Sequence, residues 1–279
     1  MQETFDAIVL AGYDPDKPDP LTAEFDQPHK ALIPLLERPL VWHVVKALGD
    51  SPRIGRILVV GMSAADGVDF PYPVDYLANQ GGMLSNAAEA YRVLSVQQDP
   101  ARHALLVMSD APLLTGAIID WFLDACRPLA KDVYWGIVEQ AVMEEAFPTS
   151  RRTYLRLVEG RFCSGDLYLG RISAALQAHG PIQTMIEHRK NVFQQMLRLG
   201  PNVILRFILR RLRLADLLAV AQRLVGASGA PVIMPFAAVG MDVDKPHQYR
   251  QVLDYMAAHP EEYADRAWPS EPQASSSHG

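Results

Sequence analysis

Short apolar segments alternate with helix-periodic segments along the first half of the chain. The first apolar run, Phe5–Ala11, ends at Gly12, and comparable runs follow at Ile57–Val60 and Ala104–Met108. Near-continuous apolar runs of this length are typical of strands that are buried on both faces of a parallel sheet. Their alternation with helices predicts an α/β fold, with a mainly parallel sheet, flanking helices and right-handed crossovers.

The pattern changes after residue 150. Residues 153–158 and 162–169 predict antiparallel strands around the turn Glu159-Gly160, and residues 171–225 predict a largely helical stretch with breaks at Gly180-Pro181 and Gly200-Pro201. A strand at 231–236 and a helix at 245–257 then resume the α/β pattern. We therefore expect one α/β domain over residues 1–265, with a β-hairpin and helical insertion at 151–225 and a flexible tail at 266–279.

The net charge of −6 hides an uneven distribution of charge. Residues 151–213 carry 12 Lys and Arg but only three Asp and Glu, so the rest of the chain is strongly acidic. Such a division is typical either of a region with an anionic partner or of a solvated basic face. The aromatic residues are not interleaved with the arginines, which argues against a nucleic-acid partner.

The composition excludes several other classes of protein. Hydrophobic residues make up 49% and charged residues 21%, as in a packed globular protein. No apolar run reaches the roughly 18 residues of a membrane-spanning helix, and the acidic N-terminus does not resemble a signal peptide. Cys126 and Cys163 lie too far apart in sequence for a metal motif. We expect a cytoplasmic protein with reduced thiols.

Three aspartates follow predicted strands and are candidate metal ligands. Asp110 comes directly after the strand Ala104–Met108, while Asp242 and Asp244 lie between a strand and a helix. Mg²⁺ prefers one or two carboxylates together with phosphate oxygens and water. A turn or capping role explains each aspartate equally well when it is taken alone. Lys30, at the end of a long Pro-rich loop, is either a phosphate-binding point charge or a surface lysine.

Five short motifs occur in a characteristic order, and together they resemble a known family. They are Leu10-Ala11-Gly12, Lys30-Ala31-Leu32, Arg38-Pro39-Leu40, Ser109-Asp110-Ala111-Pro112 and Asp242-Val243-Asp244-Lys245-Pro246. The set resembles the nucleotidyltransferases with a glycosyltransferase-A-like Rossmann fold, in the branch related to molybdenum-cofactor guanylyltransferases. The resemblance covers residues 5–138 and 231–256, and it implies a sheet of the nucleotide-diphospho-sugar transferase type.

The resemblance implies Mg²⁺-dependent transfer of a nucleoside monophosphate from an NTP to a small phosphorylated metabolite, with release of pyrophosphate. By this likeness Lys30 and Asp110 are catalytic, and Asp110, Asp242 and Asp244 are metal ligands. The implied nucleotide-binding residues are Leu10, Ala11, Gly12, Lys30, Gly82 and Asn86. We expect the basic insertion to supply the acceptor site, with the candidates Arg151, Arg152, Gly165, Asp166, Arg189 and Lys190.

The sequence also departs from the family pattern. Tyr13 stands where the family has a second glycine, and no arginine occurs between Tyr13 and Lys30. Ser164 and Asp166 depart from the Gly-Gly-Asn pattern of related enzymes. Two alternatives therefore stay open, a catalytically degenerate nucleotide-binding protein and, because Asp242-Val243-Asp244 forms an Asp-x-Asp motif, a nucleotide-sugar-dependent glycosyltransferase.

Residues 203–225 predict a basic amphipathic helix. Arg206, Arg210 and Arg213 lie on one face, and the opposite face is apolar. A helix packed within the insertion, or a contact in a homodimer, is favoured over contact with a membrane or a lipid-linked acceptor.

Overall fold

The fold is built on one central sheet. The structure is a computed structural model that describes residues 3–14, 16, 19–187 and 200–266. In this part of the chain the strands are β1 (Phe5–Leu10), β2 (Pro34–Leu35), β3 (Arg38–Pro39), β4 (Ile54–Val60), β5 (Asp75–Leu77), β6 (His103–Met108), β7 (Val133–Glu139), β8 (Leu155–Arg156), β9 (Arg161–Arg171) and β10 (Gly229–Met234). Eight of them form the sheet in the order β10-β7-β9-β6-β1-β4-β5, with β8 paired to β9, while β2 and β3 pair separately.

The buried strands are those that the apolar runs predict. β1 lies between β4 and β6 and is parallel to both. Ala7, Ile8 and Val9 in its centre are fully buried, as expected for a strand that is covered on both faces. The predicted α/β fold with a mainly parallel sheet is therefore confirmed.

β9 is the antiparallel strand of the main sheet. It pairs with β6 on one side and with β7 on the other, and it also forms the predicted hairpin with β8. With 11 residues it is longer than the sequence suggests, and it occupies the middle of the sheet. Part of the segment 151–225 is thus a core strand, while the domain bounds drawn from the sequence stay a prediction.

Helices cover both faces of the sheet. In the described residues they are α1 (Pro20–Glu24), α2 (Leu40–Asp50), α3 (Met83–Gln97), α4 (Gly116–Ala125), α5 (Gln140–Ala146), α6 (Ile172–Glu187), α7 (Pro201–Ile208), α8 (Leu214–Val225), α9 (Pro246–Ala258) and α10 (Pro260–Tyr263). Short 3₁₀ helices span Lys30–Leu32, Ala64–Asp66, Ala237–Gly240 and Ala264–Arg266. Helices α2, α4 and α9 pack in the larger core on one face, whereas α3 and α6 pack in a smaller core on the other.

The helical part of the insertion differs from the prediction in two places. Helix α6 continues through Gly180-Pro181, because a proline inside a helix removes its own hydrogen bond without having to end the helix. The expected single helix over 203–225 is instead two helices, since Arg210 adopts a left-handed conformation (φ 56°) and ends the first. Arg206 of α7 then pairs with Asp216 of α8.

The described helices include none with the length and apolar character needed to cross a membrane.

The carboxyl ends of β1, β4 and β6 meet at one edge of the sheet, because these neighbouring strands are parallel. Ligands of open α/β sheets bind outside this edge. The residues that follow these strands therefore define the place where a site is expected.

Candidate functional site

The structure brings the three candidate metal ligands together. Asp110 follows β6, and Asp242 and Asp244 lie between the 3₁₀ helix Ala237–Gly240 and α9. The backbone N–H of Val243 donates to the carbonyl of Asp110 over 3.0 Å, which fixes the two segments against each other. One oxygen from each of the three carboxylates lies within 4.8 Å of the others. We call Asp110, Asp242 and Asp244 the carboxylate cluster.

Lys30 reaches the same cluster from the N-terminal loop. It begins the 3₁₀ helix Lys30–Leu32, and its ammonium donates to Asp110 Oδ2 over 2.5 Å and also to Asp244 Oδ1. Burial alone would lower the pKa of Lys30, but the two carboxylates outweigh burial and raise it. Lys30 therefore stays charged and neutralises part of the cluster.

Arg152 supplies a second cation. Its guanidinium donates to Asp242 Oδ1, and burial of the pair leaves only 14% of the Arg152 side chain exposed. Burial raises the pKa of Asp242 above its ordinary value, and the Arg152 charge offsets this rise in part. The adjacent Arg151 is exposed and forms no ion pair with the described residues. Of Arg151 and Arg152, which were both predicted to bind an acceptor, only Arg152 contacts the carboxylate cluster.

Gln248 holds the cluster in place from α9. Its amide Nε2 donates to Asp242 Oδ1 over 3.3 Å, and its Oε1 accepts from the backbone N–H of Asp244 over 3.1 Å. The side chain is buried, with 5% of its surface exposed. Sequence reasoning missed this residue, although its position one helical turn after Asp244, on the buried face that carries Val252 and Met256, is a usable signal.

Asp166 is a fourth carboxylate beside the cluster. It lies on β9, and its Oδ2 is buried without a hydrogen-bond partner among the described residues. Burial, together with the charges of Asp110 and Asp242, raises the pKa of Asp166 well above its ordinary value. The Asn of the related pattern would carry no charge here, so this departure adds a carboxyl group that resists ionisation.

The loop after β1 presents backbone groups to the same edge. Ala11 N–H donates to Val60 over 2.8 Å and Leu10 accepts from Ser109 over 3.1 Å, so both residues are anchored to neighbouring strands. Among the described residues, the N–H groups of Gly12 and Tyr13 have no partner. A Cβ on Gly12 would lie 1.9 Å from Asn86 Nδ2, so only glycine fits here. These two N–H groups are therefore donors that a ligand at this edge can use.

Asn86, a predicted nucleotide-binding residue, forms hydrogen bonds within the protein. Its Oδ1 accepts from the N–H of Gln80 over 2.6 Å, and its Nδ2 donates to Asn79 Oδ1 over 3.0 Å. The buried Asn86 therefore shapes the loop that leads into α3. Gly82 is the N-cap of α3 and has open space around its Cα, which leaves room for a ligand there.

Tyr13 has its own packing in the place of the second family glycine. Its ring stacks on that of His29, with 5.0 Å between the ring centroids and 2° between the planes. Its carbonyl accepts from Asn79 Nδ2 over 2.7 Å. The tyrosine thus joins the first loop to the loop before α3.

The other predicted acceptor residues are Gly165, Arg189 and Lys190. Gly165 is buried, and a Cβ there would lie 2.4 Å from the Val239 side chain and 2.9 Å from its carbonyl. The structure therefore gives Gly165 a packing role, and its contact with an acceptor stays a prediction. Arg189 and Lys190 lie outside the described residues.

The donor set of the cluster fits Mg²⁺. It consists of hard carboxylate oxygens without His or Cys, and these are the ligands that Mg²⁺ prefers. Because Lys30 and Arg152 already contact all three carboxylates, a bound cation would compete with these two side chains.

The chain matches a known family over more than half of its length. Residues 23–179 match the model of the MobA-like NTP transferase domain. Among curated proteins, none matches the chain with significant sequence similarity.

Solved structures with the same fold include nucleotidyltransferases. A hypothetical transferase from Thermus thermophilus is 30% identical, with a TM-score of 0.76 over 89% of this chain and 100% of that one. A 4-diphosphocytidyl-2C-methyl-D-erythritol synthase is 10% identical, with a TM-score of 0.57 over 92% of this chain and 100% of that one. A CMP:2-keto-3-deoxy-manno-octonic acid synthetase in complex with CTP is 14% identical, with a TM-score of 0.53 over 92% of this chain and 100% of that one. The last two share the fold.

Proposed function

This chain belongs to the MobA-like NTP transferase family and is an NTP-dependent nucleotidyltransferase, and from this premise we propose that it uses Mg²⁺ to transfer a nucleoside monophosphate to a small phosphorylated acceptor. The observation that carries the proposal is the convergence of Asp110, Asp242 and Asp244 with Lys30 and Arg152 at the carboxyl edge of the sheet. Carboxylates beside two cations suit a reaction that joins highly charged phosphates.

The proposed reaction needs positioning and charge neutralisation more than a protein nucleophile. An oxygen of the acceptor phosphate attacks the α-phosphorus of the NTP. The bond from that phosphorus to the oxygen that bridges to the β-phosphorus breaks, and pyrophosphate leaves with its electron pair. The products are a diphosphate-linked conjugate and pyrophosphate.

Each protein group has a proposed part in this reaction. The N–H groups of Gly12 and Tyr13, which have no partner in the described part of the chain, bind phosphate oxygens, and the Gly82 region lies against the nucleoside. Lys30 leaves the carboxylates and neutralises charge on the α-phosphate. Asp110, Asp242 and Asp244 would hold Mg²⁺, which when bound supplies charge that offsets the triphosphate.

Arg152 can take the role of the arginine that the first loop lacks. It approaches the cluster from the chain segment before β8 and contacts Asp242, whereas Lys30 contacts the other two aspartates. A guanidinium binds phosphate oxygens through two parallel hydrogen bonds, which a lysine cannot do. We assign Arg152 to the acceptor phosphate or to the leaving pyrophosphate.

Thermal unfolding in the presence of each of the four NTPs tests the proposal. We expect at least one NTP to raise the melting temperature when Mg²⁺ is present, and Asp110→Asn to abolish this shift. Asp254→Asn, a change of the same kind at an exposed position on α9, should keep it.

Three outcomes would contradict the proposal. The absence of stabilisation by every NTP would remove the nucleotide site. Hydrolysis of UDP- or GDP-sugars in preference to NTPs would favour a glycosyltransferase. Binding that is independent of Mg²⁺, without pyrophosphate release, would indicate a degenerate enzyme.

A further inference from the structure

An apolar groove leads away from the candidate nucleotide site. Its volume is about 410 Å³, within the range of small-molecule pockets. At one end it is lined by Leu10, which precedes the first loop, by Met108, two residues before Asp110, and by Met83, which follows Gly82. The groove therefore begins where the candidate nucleotide-binding residues lie.

The strand register shows that the groove crosses much of the sheet. Leu10 pairs with Met108, Leu106 pairs with Tyr168, Tyr168 pairs with Trp135, and Val133 pairs with Gly229. These residues line the groove and belong to five adjacent strands, β1, β6, β9, β7 and β10. With strands about 4.8 Å apart, the groove is roughly 19 Å wide across the sheet. It is an elongated space, unlike a compact sugar pocket.

Small side chains on the covering helices leave this space open. The helices α3, α6 and α8 face the groove partly with alanines, which are Ala87, Ala88, Ala175, Ala178 and Ala221. Larger apolar residues at these positions would fill the space between the helices and the sheet, as they do in close-packed cores.

Few polar groups line the groove. Ser228 donates from its hydroxyl to Asp132 over 2.6 Å, so this hydroxyl is already satisfied. Tyr168 lies within 3.4 Å of the Ser164 hydroxyl. The remaining lining is almost entirely aliphatic and aromatic, apart from His179 and Tyr91. Such a surface favours hydrocarbon and disfavours a hydroxylated ligand, whose hydrogen bonds would be lost.

We propose that the groove binds the hydrocarbon chain of the acceptor, so that the substrate class is an alkyl or polyalkenyl phosphate. This inference rests on the proposed function, because the phosphate end is the group that attacks the α-phosphorus while pyrophosphate leaves. The charged head lies at the Lys30 and Arg152 end, and the chain extends from Met108 towards Gly229 beneath the helices.

A chain-length series of n-alkyl phosphates tests the inference on the intact protein. The probes are ethyl, butyl, hexyl and octyl phosphate, titrated by calorimetry below their aggregation limits. Each buried methylene should tighten binding roughly four-fold. We expect at least a hundred-fold fall in Kd from ethyl to octyl phosphate. A Kd that does not depend on chain length would overturn the inference. This result is expected if a second copy or another part of this chain fills the groove.

Groove-filling variants locate the binding. Ala87→Phe on α3 and Ala175→Phe on α6 place a ring in the groove from two different helices. Each should weaken octyl phosphate at least ten-fold and leave ethyl phosphate unchanged. Ala257→Phe, at an exposed position on α9, is the matched control and should change neither. Equal losses in all three variants, or no loss in any, would overturn the assignment.

The two proposals fail separately. Loss of chain-length dependence together with normal Mg²⁺-NTP stabilisation contradicts the hydrocarbon groove alone. Normal chain-length dependence without any NTP stabilisation contradicts the proposed function. If one variant does not fold, the other variant and the series on the unchanged protein still decide the outcome.

Discussion

Lys30 donates a hydrogen bond of 2.5 Å to Asp110 across 80 positions of sequence, and the same ammonium also donates to Asp244. A loop, a strand end and the segment before α9 are thus joined through one charge. The ammonium offsets the mutual repulsion of carboxylates that lie within 4.8 Å of one another. Lys30 therefore stabilises the fold in addition to the part proposed for it in catalysis.

Replacing Lys30 should leave the repulsion among the carboxylates of the cluster without compensation. We expect Lys30→Met to lower the free energy of unfolding by about 2 kcal/mol, which is less than for a fully buried pair because Asp244 is half exposed. Mg²⁺ should restore more stability to this variant than to the unchanged protein, since it replaces the lost positive charge. Urea unfolding with and without Mg²⁺ measures both effects.

Lys46→Met is the control for this prediction. Lys46 pairs with Asp50 and Asp265, away from the carboxylate cluster, and its side chain is as buried as that of Lys30. It should lose stability without gaining a response to Mg²⁺. An equal response to Mg²⁺ in both variants would contradict the arrangement.

Arg152 and Arg151 form a matched pair for testing the second cation. Arg152→Met should lower kcat/KM for nucleotidyl transfer by about 10²–10³-fold, as loss of a charge-stabilising donor does in other active sites. Arg151→Met should change it by less than about three-fold, because Arg151 is exposed. Steady-state pyrophosphate release measures the ratio, and similar losses in both variants would refute the role given to Arg152.

Gln248 positions Asp242 and Asp244, so its loss should weaken metal binding. We expect Gln248→Leu to lower the affinity for Mg²⁺ about 10–100-fold, as changes beside metal ligands do. Gln251→Leu, one helical turn later and bonded to Thr149, should have no such effect. Calorimetric titration with Mg²⁺ in the presence of NTP compares the two. Unchanged affinity in Gln248→Leu would show that the aspartates hold their places without it.

We expect the Asp166 carboxyl group to lower the free energy of unfolding at neutral pH. Because its pKa is raised in the folded protein, ionisation favours the unfolded chain, and this cost grows as the pH rises above about 4. Asp166→Asn should therefore raise the free energy of unfolding by about 1–2 kcal/mol at pH 8 and by less at pH 4.5. Asp132→Asn should do the opposite, since hydrogen bonds from Ser228 lower the pKa of Asp132. Denaturant titration at both pH values decides, and a loss of stability in Asp166→Asn at both would contradict the account.

His43 should make the free energy of unfolding sensitive to acid. Burial lowers its pKa to about 4, and its Nε2 lies 2.8 Å from the Leu35 carbonyl. The unfolded chain, with a His pKa near 6.5, binds the proton first, so stability is complete above about pH 6.5 and falls towards pH 4. The difference between the unchanged protein and His43→Gln should shift by up to roughly 3 kcal/mol across this range. If the free energies of unfolding of the unchanged protein and of His43→Gln change in parallel with pH, His43 is excluded as the cause.

The sheet was predictable because its strands are buried. Apolar runs such as Phe5–Ala11 and Ala104–Met108 are short and nearly continuous, which is the pattern of a strand that is covered on both faces. The position of Asp110 after β6 was predictable for the same reason, since parallel strands bring their carboxyl ends to one edge, whereas Asp242 and Asp244 reach that edge through the 3₁₀ helix that follows β10.

Other features were missed. Gln248 lies four residues after Asp244 and six after Asp242, so its signal was local, but an uncharged side chain is not an obvious candidate for a metal or phosphate site. The break between α7 and α8 comes from a left-handed Arg210, a conformation that glycine usually marks. The packing of Gly165 against Val239 could not be predicted either, because the two residues are far apart in sequence.

The position of β9 has a consequence for synthesis on the ribosome. β6 and β7 both precede β9 in the chain, yet neither pairs with the other, and β9 enters between them later. A nascent chain that ends before residue 161 therefore exposes one edge of β6 and both edges of β7, since β10 also follows later, and unpaired edges are sites of aggregation. Truncation near residue 160 should yield insoluble fragments, because β7 can join the sheet only when Arg161–Arg171 has emerged and closed the gap.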